Sequence, residues 1–83
     1  MSKADHREQY AVFAEVLRKA RKTAQLTQTE VAARLGRPQS FVAKYEGCER
    51  KLDVIDFLNV AKAIGVPWAS LLQDCETELK KRY

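Results

Sequence analysis

Eighty-three residues, 46% hydrophobic and 31% charged with only three glycines and two prolines, suffice for one folded domain and exclude a disordered chain. Two domains are excluded as well, since a domain commonly runs to about 100–150 residues. The net charge of +4 is uneven: residues 1–51 carry eleven basic and six acidic side chains, residues 52–83 four and five. The positive field therefore sits in the N-terminal part, where a polyanion is the natural partner.

No apolar run approaches the roughly 18 residues that span a bilayer, and the opening MSKADHREQY has no apolar signal-peptide core. A cytoplasmic protein with no membrane partner is expected. Cys48 and Cys75 have no CxxC spacing, and His6 is the only histidine, so no metal and no cofactor are expected and both thiols should be free. A thiol enzyme is set aside for the same reason, and because no Gly-rich phosphate loop is present. A chain this small leaves much of its surface exposed, which favours association with a second copy.

Asp5 followed by Glu8 reads as an N-cap and capping box, and Tyr10, Phe13, Val16, Leu17, Ala20 and Ala24 recur at helical spacing. They predict helix 1 over about residues 6–24, with residues 1–5 frayed. Arg18, Arg21 and Lys22 share its other face.

Thr27 and Glu30 form a second capping box, so helix 2 is expected over 28–35, burying Val31, Ala32 and Leu35. Gly36 stops it, because glycine takes a left-handed conformation without steric cost. Pro38 suits the first turn of helix 3, expected over 38–46 with Val42 and Tyr45 inward, and Gly47 ends it.

Asp53, with Asp56 three residues on, caps helix 4 over 54–64, whose inner face is read as Val54, Phe57, Leu58, Ala61 and Ile64. Pro67 opens helix 5 over 67–80. There Trp68, Leu71, Leu72, Cys75 and Leu79 make an apolar stripe that nothing later in the chain can cover. Trp68 and Leu72 are assigned to the core of the monomer. Leu71, Cys75 and Leu79 are the stronger candidates for a dimer interface, in which Trp68 is also counted. The last few residues are expected to extend the helix or fray.

The fold class is therefore all-α, with five helices. Two helices joined by three or four residues with a glycine cross steeply, so helix 3 projects a face outward. B-DNA has a major groove about 12 Å wide that admits one such helix.

The stretches LTQTEVAARLG, RPQSFVAKYEGCER and LDVIDFLNVAKAIGVPWASLL, within Val16 to Leu72, resemble the lambda-repressor-like, Xre-type helix-turn-helix family. The resemblance implies a five-helix DNA-binding domain with helices 2 and 3 as the helix-turn-helix. It implies that Gln28 bonds a DNA phosphate and supports Gln39, the first base-reading residue. A glutamine amide can also pair with N7 and N6 of adenine on its own chemistry. The resemblance implies that Ser40 also reaches a base edge, and Lys44, four residues beyond it on the same exposed face, is placed with them to contact a guanine or a phosphate.

Thr27, Arg37, Arg50 and Lys51 are the further expected phosphate contacts, which seat the protein without naming a base. Ala32, Gly36, Val42 and Tyr45 shape the motif, and the resemblance implies that Arg21 and Glu46 pair to support helix 3. Phe41 either packs toward helix 4 or touches a thymine methyl, packing being preferred.

The resulting expectation is a regulator of transcription that binds a pseudo-palindromic operator in double-stranded DNA as a homodimer, since one short helix reads too few base pairs. The rival reading is a protein-interaction module, such as an antitoxin or a regulator's partner, that touches DNA weakly. The polar face of Gln39, Ser40 and Lys44 discriminates between them, because a pure interaction module has no need of it.

Overall fold

Three of the helix starts are set by side chains three residues away. Asp5 Oδ1 accepts from the Glu8 N–H at 2.8 Å, and Asp53 Oδ1 from the Asp56 N–H at 2.7 Å. Thr27 and Glu30 close a reciprocal box, each side chain accepting from the other's backbone N–H at 3.0 Å. Each bond satisfies a donor that the first helical turn leaves without a partner.

The computed structural model describes residues 5–83. Five helices run α1 (His6–Thr23), α2 (Gln28–Leu35), α3 (Gln39–Glu46), α4 (Val54–Ile64) and α5 (Trp68–Arg82), and no strand occurs among the described residues. The fraying expected for residues 1–4 lies outside them, while Asp5 is the cap of α1.

Both prolines sit one residue earlier than expected. Pro38 and Pro67 have extended backbones, with ψ of 154° and 134°, and are N-caps, so α3 starts at Gln39 and α5 at Trp68. Gly36 ends α2 in the left-handed region at φ 68°. After α3, Gly47 has φ −88°, and Cys48 takes the left-handed turn at φ 63°. α1 stops at Thr23, one residue short of expectation, and α5 continues to Arg82.

One core joins all five helices, with Leu17, Val31, Val42, Tyr45, Val60 and Leu71 all but sealed from solvent. α1 packs against α5 and α3, and α2 against α3 and α4. Ala32, 2% exposed, leaves α3 room to approach α2.

Two sequence assignments on the C-terminal half are overturned. On α4 the inner stripe is Phe57, Val60, Ala61 and Ile64, whereas Val54 and Leu58 are exposed. On α5, Leu71 is 2% exposed and belongs to the core, so it is not an interface residue; Trp68 and Leu72, assigned to the core, are 54% and 44% exposed. α4 meets α5 at 107°. That crossing turns Leu71 inward beneath α1 and leaves Trp68 and Leu72 beside Leu58 in an apolar groove with Phe13, Leu52, Val54 and Phe57. Cys75 packs on the edge of the core and Leu79 is half-buried.

Among the described residues no single helix is long and apolar enough to cross a membrane. Cys48 and Cys75 are free thiols.

Candidate nucleic-acid interface

Arg21, on the last turn of α1, reaches beneath the start of α2. Its Nε and one terminal nitrogen donate to the two carboxylate oxygens of Glu46 at 2.7 and 3.0 Å. The other terminal nitrogen donates to the Leu26 carbonyl at 2.8 Å. The pair is 9% and 3% exposed, so water screens it little and the bidentate geometry locks the end of α3 to α1. The hydrogen bond that Arg21 donates to Glu46 is the main cause that pushes its pKa up, so the charge is permanent.

Glu46 Oε1 also accepts from Gln28 Nε2 at 3.0 Å, and Gln28 Oε1 accepts from Gln39 Nε2 at 2.7 Å. A carboxylate can only accept, which fixes the polarity of everything beyond it. Gln28 must turn its NH2 to Glu46 and its carbonyl to Gln39, and Gln39 must answer with an NH2 hydrogen. What Gln39 has left to offer a ligand is one N–H and one carbonyl oxygen. Those are the two groups that pair with N7 and N6 of adenine, while guanine's major-groove edge needs two donors.

Ser40 and Lys44 lie exposed on the same short helix, and among the described residues nothing pairs with either side chain. Val42 and Tyr45 point the other way, into the core. The Tyr45 hydroxyl is buried without a hydrogen-bond partner among the described residues, and burial first, then the Glu46 charge, holds it protonated far above the ordinary range.

The expected phosphate contacts divide into three groups. Thr27 and Gln28 stand at the N-terminus of α2, where backbone N–H groups and the helix dipole favour an anion. Arg37 and Arg50, before and after α3, converge: both guanidiniums lie over the Phe41 ring, at 4.5 and 4.9 Å from its centroid, and both face the Asp56 carboxylate. Lys51 stands apart from them, its Nζ 3.4 Å from His6 Nδ1 and above the Tyr10 ring, next to the Tyr10 hydroxyl that accepts from the Leu52 N–H.

Phe41 is 7% exposed, so it packs, as preferred from sequence, but under two arginines. Two residues that sequence reasoning missed hold this end together. Asp56 was read only as part of a cap, and Arg34, which donates to the Ala63 carbonyl at 2.9 Å and ties α2 to the end of α4, was not singled out at all. Neither contact has a signal in helical spacing, because Arg34 and Ala63 lie 29 positions apart and the partners of Asp56 lie outside its own helix.

A family model described as a helix-turn-helix domain matches residues 12–73. An XRE-family like protein from Pseudomonas syringae pv. tomato str. DC3000 is 46% identical over 88% of this chain and 89% of its own, with a TM-score of 0.81. The chain belongs to the Xre-type, lambda-repressor-like helix-turn-helix family. The restriction-modification controller protein C.AhdI from Aeromonas hydrophila is a further structural neighbour, 26% identical, with 75% of this chain and 94% of that one covered and a TM-score of 0.70. No curated protein sequence matches the chain. Xre-type domains bind DNA and act in transcriptional regulation, and they are generally not enzymes; the chain is accordingly a DNA-binding regulator.

Proposed function

We propose that α2 and α3 are the helix-turn-helix and that α3 enters the major groove of a pseudo-palindromic operator, read by a homodimer. The observation that carries this reading is the hydrogen-bonded chain from Arg21 through Glu46 and Gln28 to Gln39. It begins on a buried cation and ends on an exposed amide whose polarity is set in advance, as base reading requires. Gln39 reads an adenine, with Ser40 and Lys44 as its neighbours on the reading face. Thr27, Gln28, Arg37, Arg50 and Lys51 seat the backbone.

The dimer buries the exposed apolar side chains of α4 and α5: Trp68 and Leu72 at its centre, with Leu58, Val54 and Ile55 around them, and Cys75 and Leu79 at the margin. Large side chains exposed together are the mark of an interaction surface. Likeness to a restriction-modification controller supports a small regulator that works through its own concentration.

Selection of bound sequences from random duplex DNA at stated salt tests the reading. Enrichment of an inverted repeat with half-sites about one helical turn apart is expected; binding without preference, or no DNA binding beside capture of a protein partner, overturns it. On the enriched sequence, Gln39→Ala should lose about 1–3 kcal/mol of discrimination at one base pair, whereas Arg50→Ala should weaken all sequences and lower the salt slope by about one.

A further inference from the structure

Arg37 and Arg50 are thirteen positions apart and flank opposite ends of α3, yet their guanidiniums meet over one ring and one carboxylate. Arg37 approaches Asp56 Oδ1 at 3.6 Å and Arg50 approaches Oδ2 at 3.9 Å, each arginine taking a different oxygen. Both guanidinium carbons lie over Phe41, and the Asp56 side chain is 14% exposed while those of the arginines are 44% and 47% exposed. The carboxylate itself is held at the first turn of α4, whose cap, Asp53, bonds the Asp56 N–H.

Resting on the DNA-binding reading, we propose that Asp56 is a positioning residue that joins Arg37 and Arg50 into one two-guanidinium clamp for the DNA phosphate backbone. Two like charges over a single ring repel, and one carboxylate offsets only one of them. The cluster keeps a surplus positive charge that a backbone phosphate can neutralise. The arginine–carboxylate distances exceed those of direct hydrogen bonds, so the N–H edges of both guanidiniums are left for the phosphate.

A lone surface ion pair contributes little, and a free arginine loses rotamer freedom when it docks. Here the ring and the carboxylate hold both side chains before the DNA arrives. Because the clamp brackets α3, its position fixes where Gln39 falls along the groove. In a complex with unrelated DNA the arginines find phosphates in any arrangement, and there the carboxylate only subtracts positive charge.

The test uses the full chain, an enriched duplex and a random duplex, with Arg37→Ala, Arg50→Ala and the double substitution, each made with Asp56 and with Asp56→Asn. With Asp56 present, the loss of affinity for the enriched duplex in the double variant should fall short of the product of the single losses by about threefold or more. In the Asp56→Asn background the losses should multiply. Asp56→Asn alone should narrow the ratio of specific to random binding while random binding holds or strengthens.

Losses that multiply with Asp56 present overturn the clamp, an arm that needs no Asp56 variant to fold. So does an Asp56→Asn protein that gains equally on both duplexes, since Asp56 would then be a competing charge alone. Should the wild-type protein enrich no sequence, the DNA-reading proposal itself fails; should it enrich one while the arginines act independently, only the clamp fails.

Discussion

At the α2–α3 end, the outward-facing Gln39 amide is tied by hydrogen bonds into the fold, whereas the α4–α5 face presents apolar side chains that share only a groove. Gln39 leads by hydrogen bonds through Gln28 and Glu46 to the buried Arg21. Trp68, Leu72 and Leu58 stand exposed beside Val54 in a groove whose lining is apolar apart from Asp53. The difference teaches what each face is suited to. A donor or acceptor gives selectivity only if its direction is fixed before binding, so the polar end is built from distance- and angle-dependent bonds. Apolar burial is non-directional and scales with area, so the other face needs only to be large and contiguous.

The largest break in that contrast comes from its buried end. Arg21→Ala leaves the Glu46 carboxylate without its cation, with the Gln28 amide still donating to it, and removal of one partner of a buried pair costs roughly 3 kcal/mol or more. Urea unfolding measures it. A loss below about 1 kcal/mol would mean that water already screens the pair, as it does at exposed sites.

The second break separates neighbours on α5. Leu71→Ala should destabilise the monomer by about 2–5 kcal/mol through the cavity it leaves, without removing any exposed surface that pairs two copies. Leu72→Glu should do the reverse, with unfolding of the monomer little changed and self-association lost in sedimentation. If both act on stability alone, the exposed α4–α5 face is not where two copies meet.

The smallest effect sharpens the polar end. The Glu30 carboxylate is held below its ordinary value of 4.5, first by the Thr27 backbone N–H and then by the Thr27 hydroxyl. A depressed folded-state value means that this contribution is complete above 4.5 and fades as pH falls through the lower folded value. The stability gap between the protein and Glu30→Gln should therefore be open above 4.5 and narrow on acidification. A gap independent of pH would show that the capping box stabilises without its charge.

Five helices were legible in the sequence, and the starts of three of them to the residue, because those caps pair groups three residues apart: Asp5 with Glu8, Thr27 with Glu30, Asp53 with Asp56. The prolines were placed one residue late, since the same fixed φ serves a cap and a first helical position, and only ψ separates them. In the candidate site, the exposed positions on α3 follow from its short period once Val42 and Tyr45 are inward. Phe41, between Gln39 and Val42, carries no sign of the two arginines that cover it.

Local chemistry alone determined that five helices form and where those capped by Asp5, Thr27 and Asp53 start, and it determined that the positive charge gathers before residue 52, because such caps and charge counts need no partner from elsewhere in the chain. Only the tertiary structure decided which stripe of α4 and α5 faces inward. Eight of the eleven α4 residues are apolar, so its own pattern cannot choose a face, and the 107° crossing with α5 chooses for both helices. The same packing brings α4's first turn to the ends of α3, and so makes Asp56 the meeting point of Arg37 and Arg50.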